Sequence, residues 1–567
     1  MVFCTLTLLT SIAKGQSTSP GFVHPLGIPV EVSGNFMELR TNHFHSGLDL
    51  KTNGRIGLPV KATADGWVSR IKISPWGYGK AVYIDHPSGY TTVYGHLDRL
   101  AGRLADTLLT LQYTARSFSV DHHFKRNELP VAQGEVIAFS GNTGGSSAPH
   151  LHYEVRRTSD QHALDPEAYG LKTMDRVPPT FTGLRLYPLD STSRTAPYPA
   201  GSAGFPATEQ TDSTFVLKDS ATPLAFGTVG LAVNTFDRYS NSTNICGIRK
   251  LMVRVDGRTV CSIGLNEVDF GVQRYVNAYT DYGLFKQKGM HYNRCYKLPN
   301  NRLDVYGGEA SPGRITVVPG RDHAVEVEAT DASGNRSTLR FTLRGATATE
   351  ARQWPKAPAQ GRLVPFDRSQ VIEEAGIRFS LPPNSLYEDT YIQVSRKQAP
   401  GQARSPLFEI GDETIPLNLS AELSLEVTEP VAPAHTGNLL LVRLVKGKPV
   451  AEGGTWAAGR VTAGIRTLGS YTVMLDTTPP VLTPIGLAPA MRGRRSFKVR
   501  VQDDLSGVDQ WHARLDGKWI LMEYEPKSHT LVHSFDRYSD TPGEHRFELE
   551  VSDERGNRSR LTRSFTR

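Results

Sequence analysis

Two stretches of this chain end alike. His323-Ala-Val-Glu-Val-Glu-Ala-Thr-Asp331-Ala-Ser-Gly-Asn-Arg-Ser337 and His545-Arg-Phe-Glu-Leu-Glu-Val-Ser-Asp553-Glu-Arg-Gly-Asn-Arg-Ser559 each carry an alternating run into Asp-x-x-Gly-Asn-Arg-Ser. Successive side chains of a strand point to opposite faces, so each run reads as a half-buried strand whose Gly-Asn turn leads into a last strand. The copies also agree upstream. Asp175-Arg-Val-Pro-Pro179 answers Asp476-Thr-Thr-Pro-Pro480, and Cys246-Gly247 with Asp256-Gly257 answers Ser506-Gly507 with Asp516-Gly517. A unit written twice must close its core twice, which predicts two immunoglobulin-like β-sandwiches at 175–345 and 476–567. The first carries an insert through Phe270 to Gly308, rich in Tyr and Asn.

The rest of the chain obeys the same punctuation. It has 567 residues, and a single core rarely grows past ~250 to 300 residues, so several domains are expected. Glycine, proline and threonine separate short β-runs, and long amphipathic helical patterns are missing. Gly361 to Leu475 reads as a further β-sandwich without a motif that names it, entered by a linker at 346–360. Residues 21–174 form the remaining unit, behind a leader at 1–20. The fold class is therefore all-β, an N-terminal antiparallel sheet domain followed by three β-sandwiches.

Chemistry concentrates in the N-terminal unit. His45-Ser-Gly-Leu-Asp49 and His150-Leu-His152 together supply three zinc-type ligands and a spare histidine. On a strand His150 and His152 share one side, with Leu151 and Tyr153 turned to a core. His45 and Asp49 share a side of their own segment, with Gly47 leaving room between them. One Asp and two His suit Zn²⁺ and leave a fourth position open, as in a hydrolase. A lone His-x-His is ordinarily surface decoration or a core pair. The ordered set, with Tyr94-Gly95-His96-Leu97 between its halves, is what carries the reading.

These motifs resemble the lysostaphin/LytM family of zinc metallopeptidases, which run from a His-x-x-x-Asp through a Tyr-x-His-Leu strand to a closing His-x-His. The resemblance covers roughly residues 34 to 170. It implies His45, Asp49 and His152 as ligands of one Zn²⁺, with His96 and His150 as catalytic histidines. It further implies a secreted endopeptidase cutting peptidoglycan stem peptides or cross-bridges. Zn²⁺ acidifies water and polarises a carbonyl, while neutral histidines take a proton or steady an oxyanion. Which histidine does which is not legible from spacing. The alternatives are a silent envelope scaffold that activates other wall hydrolases, and an adhesion protein with a vestigial peptidase.

Other features set further expectations. Ala101 to Asn127 is an insertion relative to simpler relatives, partly helical through Leu104, Leu108, Leu109, Leu111 and Tyr113, and expected beside the groove as a specificity element or lid. His122 and His123 read as a solvated loop, and His43 and His86 as structural. The apolar run ending at Ala13 reads as an export signal, too short to span a bilayer. Periplasm or cell surface follows, with no transmembrane anchor. Cys246, Cys261 and Cys295 allow one disulfide, with Cys246–Cys261 and Cys261–Cys295 both open. The formal net charge of +7 is spread too evenly for a nucleic-acid site, but suits anionic envelope polymers. An envelope protein or glycan is a possible partner of the β-modules. Asp331, Asp503, Asp504 and Asp553 are read as turn formers before calcium ligands.

Overall fold

The computed structural model describes residues 21–196, 203–307, 312–354 and 360–567. The expected leader and Cys4 lie outside the described residues. So does part of the 346–360 linker, whose described portion holds a short helix, Ala348–Arg352, closed by a Thr347/Glu350 capping box. The fold is all-β.

The N-terminal sheet runs in the order Val32–Gly34, Leu48–Lys51, His150–Arg157, Tyr90–Leu100, Lys80–Asp85, Gly66–Ile73 and Pro130–Val131. Its pairings are antiparallel. The His150–Arg157 strand lies at its centre. Its apolar side sends Leu151, Tyr153 and Val155 into a closed core with Leu48, Leu50, Val60 and Tyr94. Its polar side sends His150, His152, Glu154 and Arg156 the other way, which is the period-two rule at work. Gly47 is required here: a Cβ on it would meet the Tyr153 carbonyl oxygen at 2.2 Å.

The insertion after this sheet divides in two. Gly102–Ala115 is a helix burying Leu104, Leu108 and Gln112. Val120–His123 is an edge strand paired with Gly66–Ile73, its His122 opposite Ile71 and His123 opposite Arg70. The expected solvated loop at His122 and His123 is therefore corrected. Phe118 and Val120 are buried, and sinking these two anchors sets the start of the strand that carries His122 and His123 along the sheet edge.

The first β-module is not a free-standing bead. Its strands between Thr180 and Gly345 form one 12-stranded sheet, and its core is continuous with that of the N-terminal domain. Ala163–Leu164 pairs with Glu267–Val268 across the boundary. The Phe270–Gly308 insert holds two short helices, Val276–Tyr279 and Tyr282–Lys288, which the sequence pattern did not announce. From this insert Asn277 donates to Asn42 at 2.9 Å, Tyr279 packs on Phe44, and the Tyr275 hydroxyl accepts from Asn418. One segment thus touches the N-terminal domain and the middle module. Cys246, Cys261 and Cys295 are buried free thiols, so neither expected disulfide forms: each sulfur is spent on core packing.

The middle module has two five-stranded sheets around its own core, and the last module two four-stranded sheets. The alternating runs pair with the following strands in both copies, Thr330 opposite Arg336 and Ser552 opposite Arg558. The last module folds back against the first domain. Tyr113 stacks on Tyr538 with ring centroids 4.0 Å apart, its hydroxyl donates to Asp536, and Lys80 pairs with Glu523 at 2.7 Å. Lys527 donates to the carbonyls of Asn142 and Ser146. No helix among the described residues is long and apolar enough to cross a membrane.

Candidate metal centre

Register brings the two motifs together. His152 lies opposite Asp49 on one neighbouring strand and opposite Gly95 on the other, and directly opposed residues hold their Cβ atoms within roughly 5.5 Å. His45 reaches the same point from the turn before the Asp49 strand. His45 Nε2 is 3.0 Å from Asp49 Oδ1 and 3.0 Å from His152 Nδ1. His152 Nδ1 is 2.9 Å from Asp49 Oδ1. All three residues are buried.

Hydrogen bonds on the far side of each ring decide which nitrogen faces the centre. His45 Nδ1 lies 2.7 Å from the Asn35 carbonyl, which can only accept, so that nitrogen carries the proton and Nε2 is bare. His152 Nε2 lies 2.8 Å from Glu154 Oε1, so Nδ1 faces inward. Asp49 is held likewise: Arg40 donates to Oδ2 at 2.6 Å, leaving Oδ1 for the centre. Two nitrogen lone pairs and a carboxylate oxygen thus converge on one another, an arrangement that repels itself unless a cation lies among them. The donor set, two nitrogens and one oxygen with oriented partners behind it, fits a zinc ion.

Electrostatics agree. Burial raises the cost of the Asp49 charge, yet His45, His150 and His152 outweigh it and hold its pKa well below the ordinary carboxylate value. Burial also pulls His152 down, but Asp49 and Glu154 lift it to about 9. Burial, with Arg40 and His152 adding to it, lowers His45 to about 4. Glu154 is fully buried but held ionised by Arg156 and His152. Without a metal the centre keeps one proton, on His152.

His96 and His150 lie beside this trio. His96 sits in the left-handed region at φ 58°, where pairing with Lys80–Asp85 shifts register. Such a bulge re-aims one side chain at the expense of backbone strain. His96 Nδ1 lies 2.8 Å from the Thr143 carbonyl, so its Nε2 is bare. Burial and the neighbouring His152 and His150 lower its pKa to about 3. His150 Nδ1 faces the Ala148 carbonyl at 2.8 Å. Its Nε2 is buried without a hydrogen-bond partner and stands 3.3 Å from Asp49 Oδ1. The His96 and His150 rings meet edge to face at 4.8 Å. His43 and His86 stand apart, bonded to Thr41 and to Asp65 with Thr92.

Sequence reasoning missed Glu154, Arg40 and Tyr78. Glu154 Oε1 accepts from His152, from Ser46 at 2.5 Å and from Tyr78 at 2.5 Å. Its signal was present, because Glu154 continues the i, i+2 series of His150 and His152. Arg40 comes from a two-residue strand and Tyr78 from a turn, where spacing gives no such cue.

Residues 43–117 and 106–166 match the model of Peptidase family M23. The N-terminal domain belongs to that family. Residues 361–476, the middle module, match a Zu5-like domain. The M23 domain carries the similarity to curated proteins. The DD-carboxypeptidase/endopeptidase Mpg of Neisseria meningitidis is 37% identical over 118 residues, 21% of each chain. The peptidoglycan DD-endopeptidase ShyB of Vibrio cholerae is 34% identical over 111 residues, 20% of each chain. The matched region thus spans about a fifth of these relatives. Among solved structures, the catalytic domain of lysostaphin from Staphylococcus simulans is 24% identical, with a TM-score of 0.18, covering 24% of this chain and 89% of that one. A zinc-containing peptidase from Vibrio cholerae is 28% identical, with a TM-score of 0.18, covering 26% and 37%.

Proposed function

We propose that this protein is an exported zinc endopeptidase that cuts the peptide cross-links of peptidoglycan. The observation that carries the reading is the convergence of His45 Nε2, Asp49 Oδ1 and His152 Nδ1 within 3.0 Å of one another, flanked by two further histidines whose inner nitrogens are bare. His45, Asp49 and His152 hold the zinc. When bound, it supplies Lewis acidity to a scissile carbonyl and acidifies a water.

The chain's own residues do the rest. His96, kept neutral by burial, is ready to accept a proton at Nε2. His150 Nε2, buried and 3.3 Å from Asp49 Oδ1, is placed to steady an oxyanion beside His96. Glu154 and Arg40 fix the orientation of His152 and Asp49. The relatives named DD-endopeptidases support a bond whose acyl side is D-Ala, and the D-Ala–diaminopimelate cross-link is the proposed substrate. The β-modules position the domain on the envelope.

The test is mass spectrometry of fragments released from purified peptidoglycan by the mature chain, with and without a zinc chelator. Chelator-sensitive loss of cross-linked dimers is expected, and the fragment masses name the bond. Intact cross-links after treatment with zinc-loaded protein would sink the reading.

A further inference from the structure

The repeated modules each bring three aspartates to one point, and neither set belongs to the histidine centre. In the first module they are Asp175, Asp237 and Asp331, in the last Asp476, Asp503 and Asp553, and each residue offers an oxygen within 4.8 Å of the others. The sets are the same construction. Each draws one aspartate from the chain entering the module, one from just past a long strand (Leu224–Phe236 or Ser496–Gln502), and one from the end of the alternating run.

The hydrogen bonds repeat too. Asp175 accepts from Val177 N and Ser240 N, and Asp476 from Thr478 N and Ser506 N. Asp331 accepts from the backbone and side chain of Asn335, and Asp553 from those of Asn557. Turn formation explains these four residues. It does not explain Asp237. Asp237 is 2% exposed, and its Oδ1 is buried with no donor. Asp503 differs: it is only half-buried, and its Oδ2 closes a turn by accepting from Leu505 N and Gly507 N, although its Oδ1 lacks a donor. None of the six carboxylates pairs with Lys or Arg among the described residues; Arg249, which lines the same cleft as Asp175, is paired with Asp165.

A buried carboxylate oxygen without a donor, facing two more carboxylates, costs several kcal/mol unless a cation or proton compensates it. We propose that Asp175, Asp237 and Asp331 bind a calcium ion. An all-oxygen set suits a hard cation, and Ca²⁺ tolerates irregular geometry completed by water where Mg²⁺ demands an octahedron. A cleft of about 520 Å³ adjoins the site, lined by Asp175 with Glu167 and Lys172. The ion would tie the entering chain to the ends of two strands, fixing how the first module sits on the N-terminal domain.

The test is equilibrium dialysis of the full chain against Ca²⁺ after EGTA treatment, with melting followed in parallel. Nitrogen donors disfavour Ca²⁺, so uptake reports the carboxylates. We expect Ca²⁺ uptake that Asp237→Asn reduces by one ion per chain, and a melting temperature that Ca²⁺ raises in the wild type. In EGTA Asp237→Asn should melt at or above the wild type, because it removes an uncompensated charge, and this separates a lost site from a misfolded variant. Calcium uptake unchanged by Asp237→Asn, or no uptake at millimolar Ca²⁺, overturns the proposal.

Discussion

His152 is the residue on which the centre turns, because it touches both the inner donors and the carboxylate behind them. Its pKa of about 9, against about 4 for His45, has a measurable consequence. At pH 6 the metal-free centre carries one proton, on His152, while His45 and Asp49 are already bare. Metal uptake must displace that proton. Zinc titration in weak buffer at pH 6 is therefore predicted to release about one proton per ion, and the share due to His152 vanishes once the pH exceeds about 9. Release of none, or of two, at pH 6 contradicts this assignment. The partners behind the ligands give a second prediction. Arg40→Ala and Glu154→Gln free Asp49 and His152 to rotate, and each should weaken zinc binding about 10- to 100-fold, measured by competition with a chromogenic chelator.

At the scale of strands, Gly47 leaves no room for a side chain between the two halves of the centre. Gly47→Ala drives a Cβ into the Tyr153 carbonyl at 2.2 Å, and backbone cannot step aside as a side chain can. The Asp49 and His152 strands must then part, so thermal stability should drop by about 1–3 kcal/mol, with loss of bound zinc. A variant that melts and binds zinc like the wild type would show the strands to be looser than described. The same elements show what was legible beforehand. His150 and His152 announced their common face because strand side chains repeat every two residues, and Glu154 lay on the same series unread. The turn that delivers His45 is fixed by a bond from its ring to Asn35, a long-range closure that spacing does not encode. His122 and His123 were misread because two adjacent polar residues look like a loop, whereas an edge strand tolerates them on its open side. The helices inside Phe270–Gly308 are too short for a 3.6-residue period to register.

The whole molecule is arranged so that the last module returns to the first domain. Tyr113 is the main anchor, stacked on Tyr538 and bonded to Asp536, with Arg537 pairing with Asp106. Tyr113→Ala removes the stack and the bond together. It should release the module, read as a larger radius of gyration in solution scattering, while zinc content stays unchanged. Unaltered scattering would mean that Lys80–Glu523 and Lys527 suffice to hold it. The return was not legible in sequence, since it joins residues 381 to 443 positions apart through single side chains. The repeat was legible because the Asp-x-x-Gly-Asn-Arg-Ser endings serve the same hairpin twice.

The division of labour among the histidines is the central claim, and zinc content tests it most directly. Zinc per chain would be determined for the wild type, His152→Ala, His96→Ala and His150→Ala, each alongside its rate of cross-link cleavage. The account predicts about one zinc in the wild type, His96→Ala and His150→Ala, and almost none in His152→Ala. Cleavage should fall about 10²- to 10⁴-fold in the His96 and His150 variants, as for loss of an acid–base group. Equal zinc in all four proteins would contradict it.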